Sequence, residues 1–297
     1  MIELTFLGTS QAVPTASRNH TAMLLRYKDE SILVDCGEGT QRQFRIAKLN
    51  PCKLTRILIT HWHGDHVLGL PGLLQTLALN GYNKTLEIYG PRGTKRFFDF
   101  IYSMFVFAGN IKINITEIES GEFIKTDDFS IEALPLQHGT ECLAYRFSEH
   151  DKRRMNAAKI KKLGIEGQMI GRLQKGETIS INGEKIKPEA VSSIEKGKKI
   201  AFMLDTGVCD NCIKIAKDAD LLISESTYSD ELREKAREYL HLTSKQASEI
   251  AKKAKARKLI LTHLSQRYER EEQKILQEAK KVFKNTELAK DFMRVEI

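Results

Sequence analysis

The chain has 297 residues, of which 41% are hydrophobic and 29% are charged, so it can build a hydrophobic core and is not a disordered tail. With 47 Lys and Arg against 39 Asp and Glu, its formal net charge is +8. The sequence has no apolar run long enough for a membrane-spanning helix and no basic-then-apolar signal at its N-terminus, so we expect neither a membrane protein nor an exported one.

The predicted elements alternate between short strands and helices along the chain. Apolar or alternating runs bounded by Gly, Pro, Asn or Asp predict strands over 2–7, 21–27, 31–34, 55–60, 87–89, 111–118, 129–136, 199–204, 221–224 and 258–262. Apolar residues near helical spacing predict helices over 70–80, 92–108, 211–217, 244–255 and 271–283. Because this order allows helices to cover two sheets from outside, we expect a layered α/β sandwich.

One basic segment differs in composition from the rest of the chain. Residues 152–199 hold 13 Lys and Arg but only 5 Glu, so this segment alone carries a balance of +8. It contains many Gly, few large apolar residues and no Phe, Tyr or Trp. We therefore expect it to bury little surface alone and to project from the body. Charge alone does not decide between a solvated insertion loop and a grip on a phosphate backbone.

The strongest chemical signal is the run HWHGDH at 61–66, directly after the predicted strand over 55–60. It places four potential metal ligands within six residues. His61 and His63 alternate and can point the same way, while Gly64 can turn the chain and bring the remaining two ligands to a second position. Imidazole and carboxylate together suit zinc, manganese or iron. A His-rich surface turn is the ordinary alternative.

Three further polar residues stand just past the ends of predicted strands, namely His138, Asp205 and His263. Strand ends of parallel or mixed sheets display ligands along one edge. Taken singly, each has an ordinary interpretation, a structural His or an Asp that forms a turn before Thr-Gly. Together with the run at 61–66 they supply seven ligands, enough for two metals with an open coordination place.

With these ligands in place, the chain resembles the metallo-β-lactamase fold and, more specifically, tRNase Z (ribonuclease Z) of the short form, the tRNA 3′ endonuclease. The motifs that carry the resemblance are FLGTS at 6–10, PTASRN at 14–19, DCGEGTQ at 35–41, ESTY at 225–228, HLT at 241–243 and THLSQRY at 262–268. The resemblance extends over essentially the whole chain. It implies an αββα sandwich, with a single metallo-β-lactamase-type domain over 1–297.

The resemblance also implies a binuclear site with two Zn²⁺ per subunit, for which Mn²⁺ is an alternative. By this resemblance one zinc is held by His61, His63 and His138. The other is held by Asp65, His66 and His263, and Asp205 bridges the two.

The implied reaction is removal of the 3′ trailer from precursor tRNA, which leaves a 3′-hydroxyl on the tRNA and a 5′-phosphate on the trailer. Asp65 would orient the attacking water and take its proton while it remains a ligand. His241, oriented by Glu225, would protonate the leaving 3′ oxygen, which is a poor leaving group when bare. A helix-capping His and a surface Glu are the ordinary alternatives for this pair.

By the same resemblance the basic segment becomes an inserted arm over 152–199 that protrudes and grips the tRNA. The implied substrate contacts lie in the N-terminal loop, beside His263 and in the arm; they are Arg18, Asn19, Ser265, Arg267, Lys152, Arg153, Arg154, Lys161, Lys162, Arg172 and Lys175. The resemblance further implies a homodimer. We expect no membrane partner and a cytoplasmic location, which the odd number of five cysteines also favours because it fits reduced thiols.

Two other function classes compete with a tRNA endonuclease. A binuclear zinc hydrolase of small phosphodiesters or esters would gain nothing from a segment that carries +8. A non-catalytic RNA-binding or metal-holding protein would not need all seven ligands together with His241. The remaining motif, Cys209-Asp210-Asn211-Cys212, lacks a second Cys pair, and we interpret it as incidental or at most as a disulfide.

Overall fold

The computed structural model of the protein describes residues 1–106, 111–181 and 183–297. Its helices are α1 (Thr40–Ile46), α2 (Gly64–Val67), α3 (Leu70–Leu79), α4 (Thr94–Met104), α5 (Ala157–Lys162), α6 (Gln168–Gln174), α7 (Pro188–Val191), α8 (Asp210–Ala216), α9 (Arg233–Glu238), α10 (Ser244–Lys253) and α11 (Glu272–Val282). Short 3₁₀ turns cover Pro51–Lys53, Asp230–Leu232 and Gln266–Tyr268. Within the described residues, none of these helices has the length and apolar character that crossing a bilayer requires.

The strands form two seven-stranded sheets and two short hairpin-like pairs. In chain order they are β1 (Ile2–Gly8), β2 (Ala22–Tyr27), β3 (Glu30–Val34), β4 (Arg56–Leu58), β5 (Thr85–Gly90), β6 (Lys112–Glu117), β7 (Gly121–Lys125), β8 (Phe129–Pro135), β9 (Leu143–Glu149), β10 (Lys152–Met155), β11 (Ile179–Ile181), β12 (Glu184–Ile186), β13 (Ser192–Glu195), β14 (Lys199–Met203), β15 (Leu221–Glu225), β16 (Leu259–Thr262), β17 (Thr286–Leu288) and β18 (Arg294–Glu296). The first large sheet has the order β18-β1-β2-β3-β4-β5-β6, and the second has the order β17-β16-β15-β14-β9-β8-β7.

The central strands of both sheets are parallel and buried on both faces. Strands β3 to β6 pair in parallel in the first sheet, and β14 to β17 do so in the second. All residues of β15 and β16 are buried, so their sequences LLISE and LILT are almost continuously apolar. Near-continuous apolar strands are typical of parallel sheets that are covered on both sides.

Each sheet is covered on its outer face by its own helices. Phe44 of α1 and Leu73 and Leu77 of α3 pack in one core cluster with Leu33 and Ile57 of the first sheet. A second cluster joins α8, α10 and α11 to the second sheet through Ile215, Ile250, Ile275, Leu222 and Leu259. Burial of each such side chain contributes about 1.5–3 kcal/mol relative to its exposure.

The inner faces of the two sheets contact each other. The ring of Tyr27 on β2 meets the ring of Phe147 on β9 edge-on, with centroids 5.4 Å apart. The Tyr145 hydroxyl donates a 2.6 Å hydrogen bond to the carbonyl of Ile59, which follows β4. The order is therefore helices, sheet, sheet, helices, and the predicted layered α/β sandwich is confirmed.

Most of the predicted elements are present with ends shifted by one to three residues, and the predicted helix over 92–108 is found as α4, with residues 107 and 108 outside the described parts of the chain. The prediction missed α1, α2, α9, β7, β9, β17 and β18, and it assigned no helix or strand within 152–198. Strands β17 and β18 have three residues each and are stabilised by pairing with β16 and β1 rather than by a pattern of their own.

Residues 126–130 and 148–198 form a second compact unit, which contains most of the basic segment. Strands β10 and β13 pair in it, as do β11 and β12. The expectation that this segment buries little surface alone is wrong, because the unit has an aliphatic core of Ile160, Ile165, Leu173, Ile179, Ile186 and Val191. These six residues are scattered over some thirty positions and converge only once helices and hairpins have formed.

This core gives a testable prediction for the second unit. Leu173 is fully buried, so Leu173→Ala should destabilise the unit by about 2–5 kcal/mol because it removes buried apolar surface and leaves a cavity. Amide hydrogen exchange should accelerate in peptides from 148–198 and stay unchanged in peptides from β14 to β16. Leu163→Ala is the matched control, since Leu163 is exposed and its removal should leave exchange as it is. Equal exchange in both variants would refute the proposed core.

Candidate metal centre

Three strand ends carry a polar residue in a left-handed backbone conformation. Asp35 directly follows β3, Asp205 follows β14 after one residue, and His263 directly follows β16, with φ of 57°, 31° and 57°. Such a backbone costs of order 1–3 kcal/mol for a residue other than Gly and persists where the surroundings over-determine it. Side chains of both sheets are thereby held at one rim of the sandwich.

The run at 61–66 joins this rim from the end of β4. His61 and His63 lie in extended backbone, and helix α2 begins at Gly64 and carries Asp65 and His66. Gly64 does not have a positive φ, so the turn is made by the helix itself rather than by the glycine freedom that the sequence suggested. Trp62 points away from the rim and donates a 2.9 Å hydrogen bond to the Thr94 hydroxyl, which anchors the run.

Seven predicted ligand residues converge into two neighbouring clusters at this rim, and a third group of Asp205, His241 and His263 shares a residue with each. Within each cluster the ligand atoms lie within 4.8 Å of one another. The first cluster comprises His61, His63, His138 and Asp205, and the second comprises Asp65, His66 and His263. Asp205 connects the clusters, with Oδ2 3.6 Å from His61 Nε2 and Oδ1 3.1 Å from His263 Nε2.

One carboxylate, that of Asp35, fixes the Nδ1 atoms of His66 and His61, the first directly and the second through the Thr60 hydroxyl. Asp35 accepts a 2.7 Å hydrogen bond from His66 Nδ1 and another of 2.7 Å from the Thr60 hydroxyl. Since Thr60 gives its proton to Asp35, its oxygen accepts from His61 Nδ1 at 3.1 Å. This network assigns the proton of each neutral ring to Nδ1 and leaves both Nε2 atoms with a free lone pair.

The same arrangement recurs at His263 and His138. The Thr227 hydroxyl donates to Glu225 at 2.6 Å and therefore accepts from His263 Nδ1 at 3.0 Å. His138 Nδ1 donates to the Leu240 carbonyl at 3.2 Å. In these tautomers the Nε2 atoms of both rings also point inward without a proton.

Ring nitrogens face one another across the rim. The Nε2 atoms of His66 and His263 are only 3.2 Å apart, and His61 Nε2 is buried with no hydrogen-bond partner among the described residues. Two ring nitrogens at this separation need a proton or a metal ion between them, so the residues fit a metal. Nitrogen and carboxylate donors with no thiolate suit zinc, manganese or iron.

The two carboxylates of the clusters are held in their charged form. Burial alone would raise the pKa of Asp205, but the surrounding imidazoles, His263 and His66 first, hold it well below its usual range. Burial would also raise the pKa of Asp65, but His66 and His263 outweigh it and hold this pKa far below its normal value. Burial and the neighbouring His66 lower the pKa of His61, which keeps that ring neutral. Burial alone would also lower the pKa of His66, but Asp205, Asp35 and Asp65 outweigh it and raise this pKa well above its usual value, so a bound metal would have to displace a proton from that ring. Charged carboxylates and neutral imidazoles are the forms that bind metals.

A His–Glu pair lies beside the clusters. His241 Nδ1 is 3.1 Å from Oε1 of the fully buried Glu225, which also accepts from the Thr206 backbone N–H at 2.7 Å. Burial alone would lower the pKa of His241, but the Glu225 carboxylate outweighs it and raises this pKa to about 9. The ring lies near the ligands, 5.3 Å from that of His138 and 5.7 Å from that of His263 between centroids.

Ser265 and Arg267, two predicted substrate contacts, lie just past His263. Arg267 is exposed, its Nε donates to the Ser265 hydroxyl at 3.2 Å, and its guanidinium lies 5.3 Å from the centre of the Tyr228 ring. The Tyr228 ring in turn meets His241 at 6.1 Å. The structure thus places one exposed guanidinium, oriented by an aromatic face, close to the His–Glu pair.

Arg18 and Asn19 do not fit the contacts predicted for them. Arg18 is buried, with Nε bonded to Glu272 at 2.7 Å and Nη1 bonded to Thr9 at 2.6 Å. Asn19 donates its side-chain amide to the Glu38 carbonyl at 2.7 Å. The Arg18 Nη2 has no hydrogen-bond partner among the described residues, but it is buried with the rest of the guanidinium and out of reach of a phosphate, so we correct the role of Arg18 to fixing the N-terminal loop.

The predicted contacts in the basic segment belong to the second unit. Several of them form ion pairs there: Lys152 with Glu149, Arg153 with Glu189, Arg154 with Glu195 and Arg172 with Glu177. Lys161, Lys162 and Lys175 are exposed and make no ion pair within the described chain. The three lysines therefore remain the stronger candidates for contact with an anionic partner.

Sequence reasoning missed the residues that orient the ligands, namely Asp35, Thr60 and Thr227. Asp35 obeys the pattern that revealed Asp205 and His263, a polar residue directly after an apolar strand, so this signal could have found it. Thr60 and Thr227 offer no such signal because a Thr at a strand end is ordinary. Their roles are visible only in the structure, where each hydroxyl donates to a carboxylate oxygen and accepts from a His Nδ1.

Comparison with known proteins gives full-length matches. The chain is 43% identical to ribonuclease Z of Methanothermobacter thermautotrophicus, over 100% of this chain and 97% of that protein. It is 38% identical to ribonuclease BN of Cronobacter sakazakii, over the full length of both. The chain belongs to the ribonuclease Z family. A family model described as anti-Pycsar protein Apyc1 matches residues 2–96, less than half of the chain.

Solved structures of the family agree with this assignment. The crystal structure of human tRNase Z, short form, superposes with a TM-score of 0.73 at 28% identity and covers 99% of both chains. The metallo-β-lactamase fold protein YhfI from Bacillus subtilis superposes with a TM-score of 0.72 at 22% identity, which shows the shared fold. The predicted metallo-β-lactamase fold and the resemblance to the ribonuclease Z family are confirmed.

Asp35 provides a test of the metal centre. Asp35→Asn replaces the carboxylate that accepts from His66 Nδ1 and from the Thr60 hydroxyl and backbone N–H, so His66 and His61 lose their fixed tautomers and Zn²⁺ affinity should fall about 10- to 100-fold. Titration of the apoprotein with Zn²⁺ against a chromophoric chelator measures this change. Asp29→Asn, on the exposed turn between β2 and β3, is the matched control. Unchanged affinity in Asp35→Asn would contradict the proposed orienting role.

Proposed function

We propose that the chain is a metal-dependent endoribonuclease that cleaves the 3′ trailer from precursor tRNA and leaves a 3′-hydroxyl on the tRNA. The observation that carries the proposal is the convergence of seven His and Asp ligand side chains beside the His241–Glu225 pair, in a chain that matches ribonuclease Z proteins over its full length. Hydrolysis of a phosphodiester requires an activated water and a protonated leaving oxygen, and these residues offer groups for both.

The proposed cofactor is a pair of Zn²⁺ ions, for which Mn²⁺ can substitute. His61, His63 and His138 would hold one ion, Asp65, His66 and His263 the other, and Asp205 both. The ions supply a water of lowered pKa and neutralise charge on the phosphoryl oxygens when they are bound.

Asp65 is proposed to accept the proton of the attacking water. Its side chain reaches solvent, whereas His66 and His263, each 3.4 Å from its Oδ2, are fully buried. Its depressed pKa keeps the carboxylate ionised, so it can orient a water as an acceptor. The proton then leaves toward solvent from the exposed side of the rim.

His241 is proposed to donate a proton to the leaving 3′ oxygen of the tRNA. With a pKa of about 9 its ring carries the necessary proton at neutral pH. Glu225 holds the ring by its Nδ1 side, which leaves Nε2 for the substrate. Arg267, oriented by Tyr228 and Ser265, is placed to contact a phosphate near the cleaved bond.

The second unit is proposed to be the tRNA-binding arm. Its basic segment carries a balance of +8, equal to the net charge of the chain, and contains no aromatic side chain for base stacking. This composition favours contact with phosphates and recognition of shape. We further propose a cytoplasmic homodimer, on the basis of the family alone.

A cleavage assay tests the proposed reaction. Zinc-loaded protein should cut a precursor tRNA at a single position, and end mapping should find a 3′-hydroxyl on the tRNA fragment and a 5′-phosphate on the trailer. The same preparation is given a chromogenic phosphodiester. Hydrolysis of the small ester alone would favour the alternative of a small-ester hydrolase, and binding of tRNA without cleavage would favour a non-catalytic protein.

The acid role of His241 predicts a specific pH dependence. The protonated ring is the active form, so cleavage should be retained below a pKa of about 9 and lost as pH rises through it. Glu225→Gln removes the charge that raises this pKa, so the basic limb of the kcat–pH profile should move down by about 1–3 pH units. Glu234→Gln on the exposed face of α9 is the control. An unmoved limb would exclude His241 as the acid.

The arm predicts a salt-dependent effect on tRNA binding. Replacement of Lys161, Lys162 and Lys175 by Glu should weaken precursor tRNA binding and reduce the slope of log Kd against log salt by about 0.7–0.9 for each phosphate that is no longer neutralised. Hydrolysis of the chromogenic ester should not change. The control replaces Lys252, Lys253 and Lys280, exposed lysines of α10 and α11, with Glu. Equal weakening by both triple variants would show a general charge effect rather than an arm.

A further inference from the structure

Two cysteines that the proposed reaction does not use lie close together beside the metal centre. Cys209 and Cys212 are free thiols in the chain segment that follows Asp205, and their Sγ atoms are 3.5 Å apart. A disulfide bond is about 2.05 Å long, so a shift of roughly 1.5 Å would close one. Rotation of the two side chains about their Cα–Cβ bonds can provide a movement of this size.

The two thiols have different surroundings. Cys209 is partly exposed, and its sulfur faces the Cys212 thiol at 3.5 Å and lies near the backbone N–H groups of Cys212, Gln137 and Asn211. The Cys212 thiol, followed by these N–H groups, outweighs burial and lowers the pKa of Cys209 to about 5. Cys212 is fully buried, and its pKa is raised. A reagent can therefore reach one sulfur of the pair and finds it as a thiolate.

The other three cysteines lack this combination. Cys36 and Cys142 are fully buried, and burial raises the pKa of both thiols. Cys52 is partly exposed, but burial raises its pKa as well, and its Sγ faces the carbonyl of Asn80 at 4.0 Å. Cys52 thus serves as an internal comparison, a reachable thiol without activating neighbours.

The pair contacts both loops that lead to metal ligands. Cys212 Sγ lies 3.7 Å from the Gly207 carbonyl and 3.9 Å from the Thr206 hydroxyl, in the loop that follows Asp205. Gly207 pairs with Gln137, the residue before His138, through a 2.8 Å backbone hydrogen bond. The Gln137 N–H donates a 3.2 Å hydrogen bond to the Thr206 hydroxyl, which itself lies 3.9 Å from Cys212 Sγ. A change in the distance between the two sulfur atoms would therefore act on the backbone next to the ligands Asp205 and His138.

We propose that Cys209 and Cys212 form a redox-active dithiol that reacts with small disulfides and weakens RNA cleavage when it is oxidised. The Cys209 thiolate attacks one sulfur of a disulfide RSSR and releases RS⁻, which takes a proton from solvent. Cys212 then loses its proton and attacks Cys209 Sγ, which releases the second RS⁻. Two protein thiols and RSSR thus become one protein disulfide and two RSH.

Closure of the disulfide has a consequence for the metal centre. Cys212 Sγ would move toward Cys209 and change its contacts with the Thr206 hydroxyl, which accepts from the Gln137 N–H, and with the Gly207 carbonyl. The pairing of Gln137 with Gly207 would then be strained on one side. Displacement of the adjacent ligand loops should lower precursor tRNA cleavage at least about twofold, the lower end of coupling through a few packed residues.

Oxidised glutathione is the probe for the test. The full-length, metal-loaded protein is incubated with it, and thiols are then counted after denaturation. Wild type and Cys52→Ser should both lose two thiols, and peptide mass spectrometry should place the bond between Cys209 and Cys212. Cys212→Ser should stop at a mixed disulfide on Cys209, whereas Cys209→Ser should leave Cys212 unmodified. Retention of both thiols in the wild type, or preferential modification of Cys52, would overturn the proposal.

Cleavage measured on the same samples tests the link to the centre. Activity of wild type and Cys52→Ser should fall with oxidation and return after reduction with dithiothreitol. Cys209→Ser and Cys212→Ser should show no oxidation-dependent change, and their circular dichroism spectra verify folding. Complete oxidation without any loss of cleavage would overturn the link. Absence of cleavage before oxidation would instead count against the proposed function. In that case the thiol count would still test whether Cys209 and Cys212 form a disulfide.

Discussion

The structure depends on one constraint, the fixed direction of four imidazole lone pairs. Each ring is held from outside, by Asp35, by a threonine hydroxyl or by a backbone carbonyl, so its inner nitrogen cannot turn away from the rim. The Nε2 atoms of His66 and His263 lie 3.2 Å apart, a separation that requires a proton or a metal ion between them. This fixed convergence of ring nitrogens is the feature that prepares the rim for cations.

The sandwich supplies this rigidity through its strand ends. Central strands buried on both faces cannot shift in register without exposing apolar side chains, so the residues that follow them keep fixed positions. Left-handed backbone at Asp35, Asp205 and His263 then directs each side chain across the rim. Helix α2 contributes two more ligands from a single turn, which keeps their mutual geometry constant.

Much of this arrangement could be predicted from the sequence because its signals are local. Continuous apolar strands such as LILT and LLISE and a polar residue directly after a strand are visible in a few residues. The role of Thr227 could not be predicted, since it depends on a hydroxyl that bridges Glu225 and His263 across 36 positions. Arg18 was misjudged for the same reason, because its partner Glu272 is 254 positions away.

The second unit combines a small aliphatic interior with a highly charged exterior. Because Ile160, Leu173 and Val191 with their neighbours form its interior, the exposed lysines around them lie outside that interior. Natural selection can therefore redistribute surface charge there over generations without unfolding the unit. Proteins that descend from this one could therefore differ in the molecules that the second unit binds while they keep the same ligand residues at the rim.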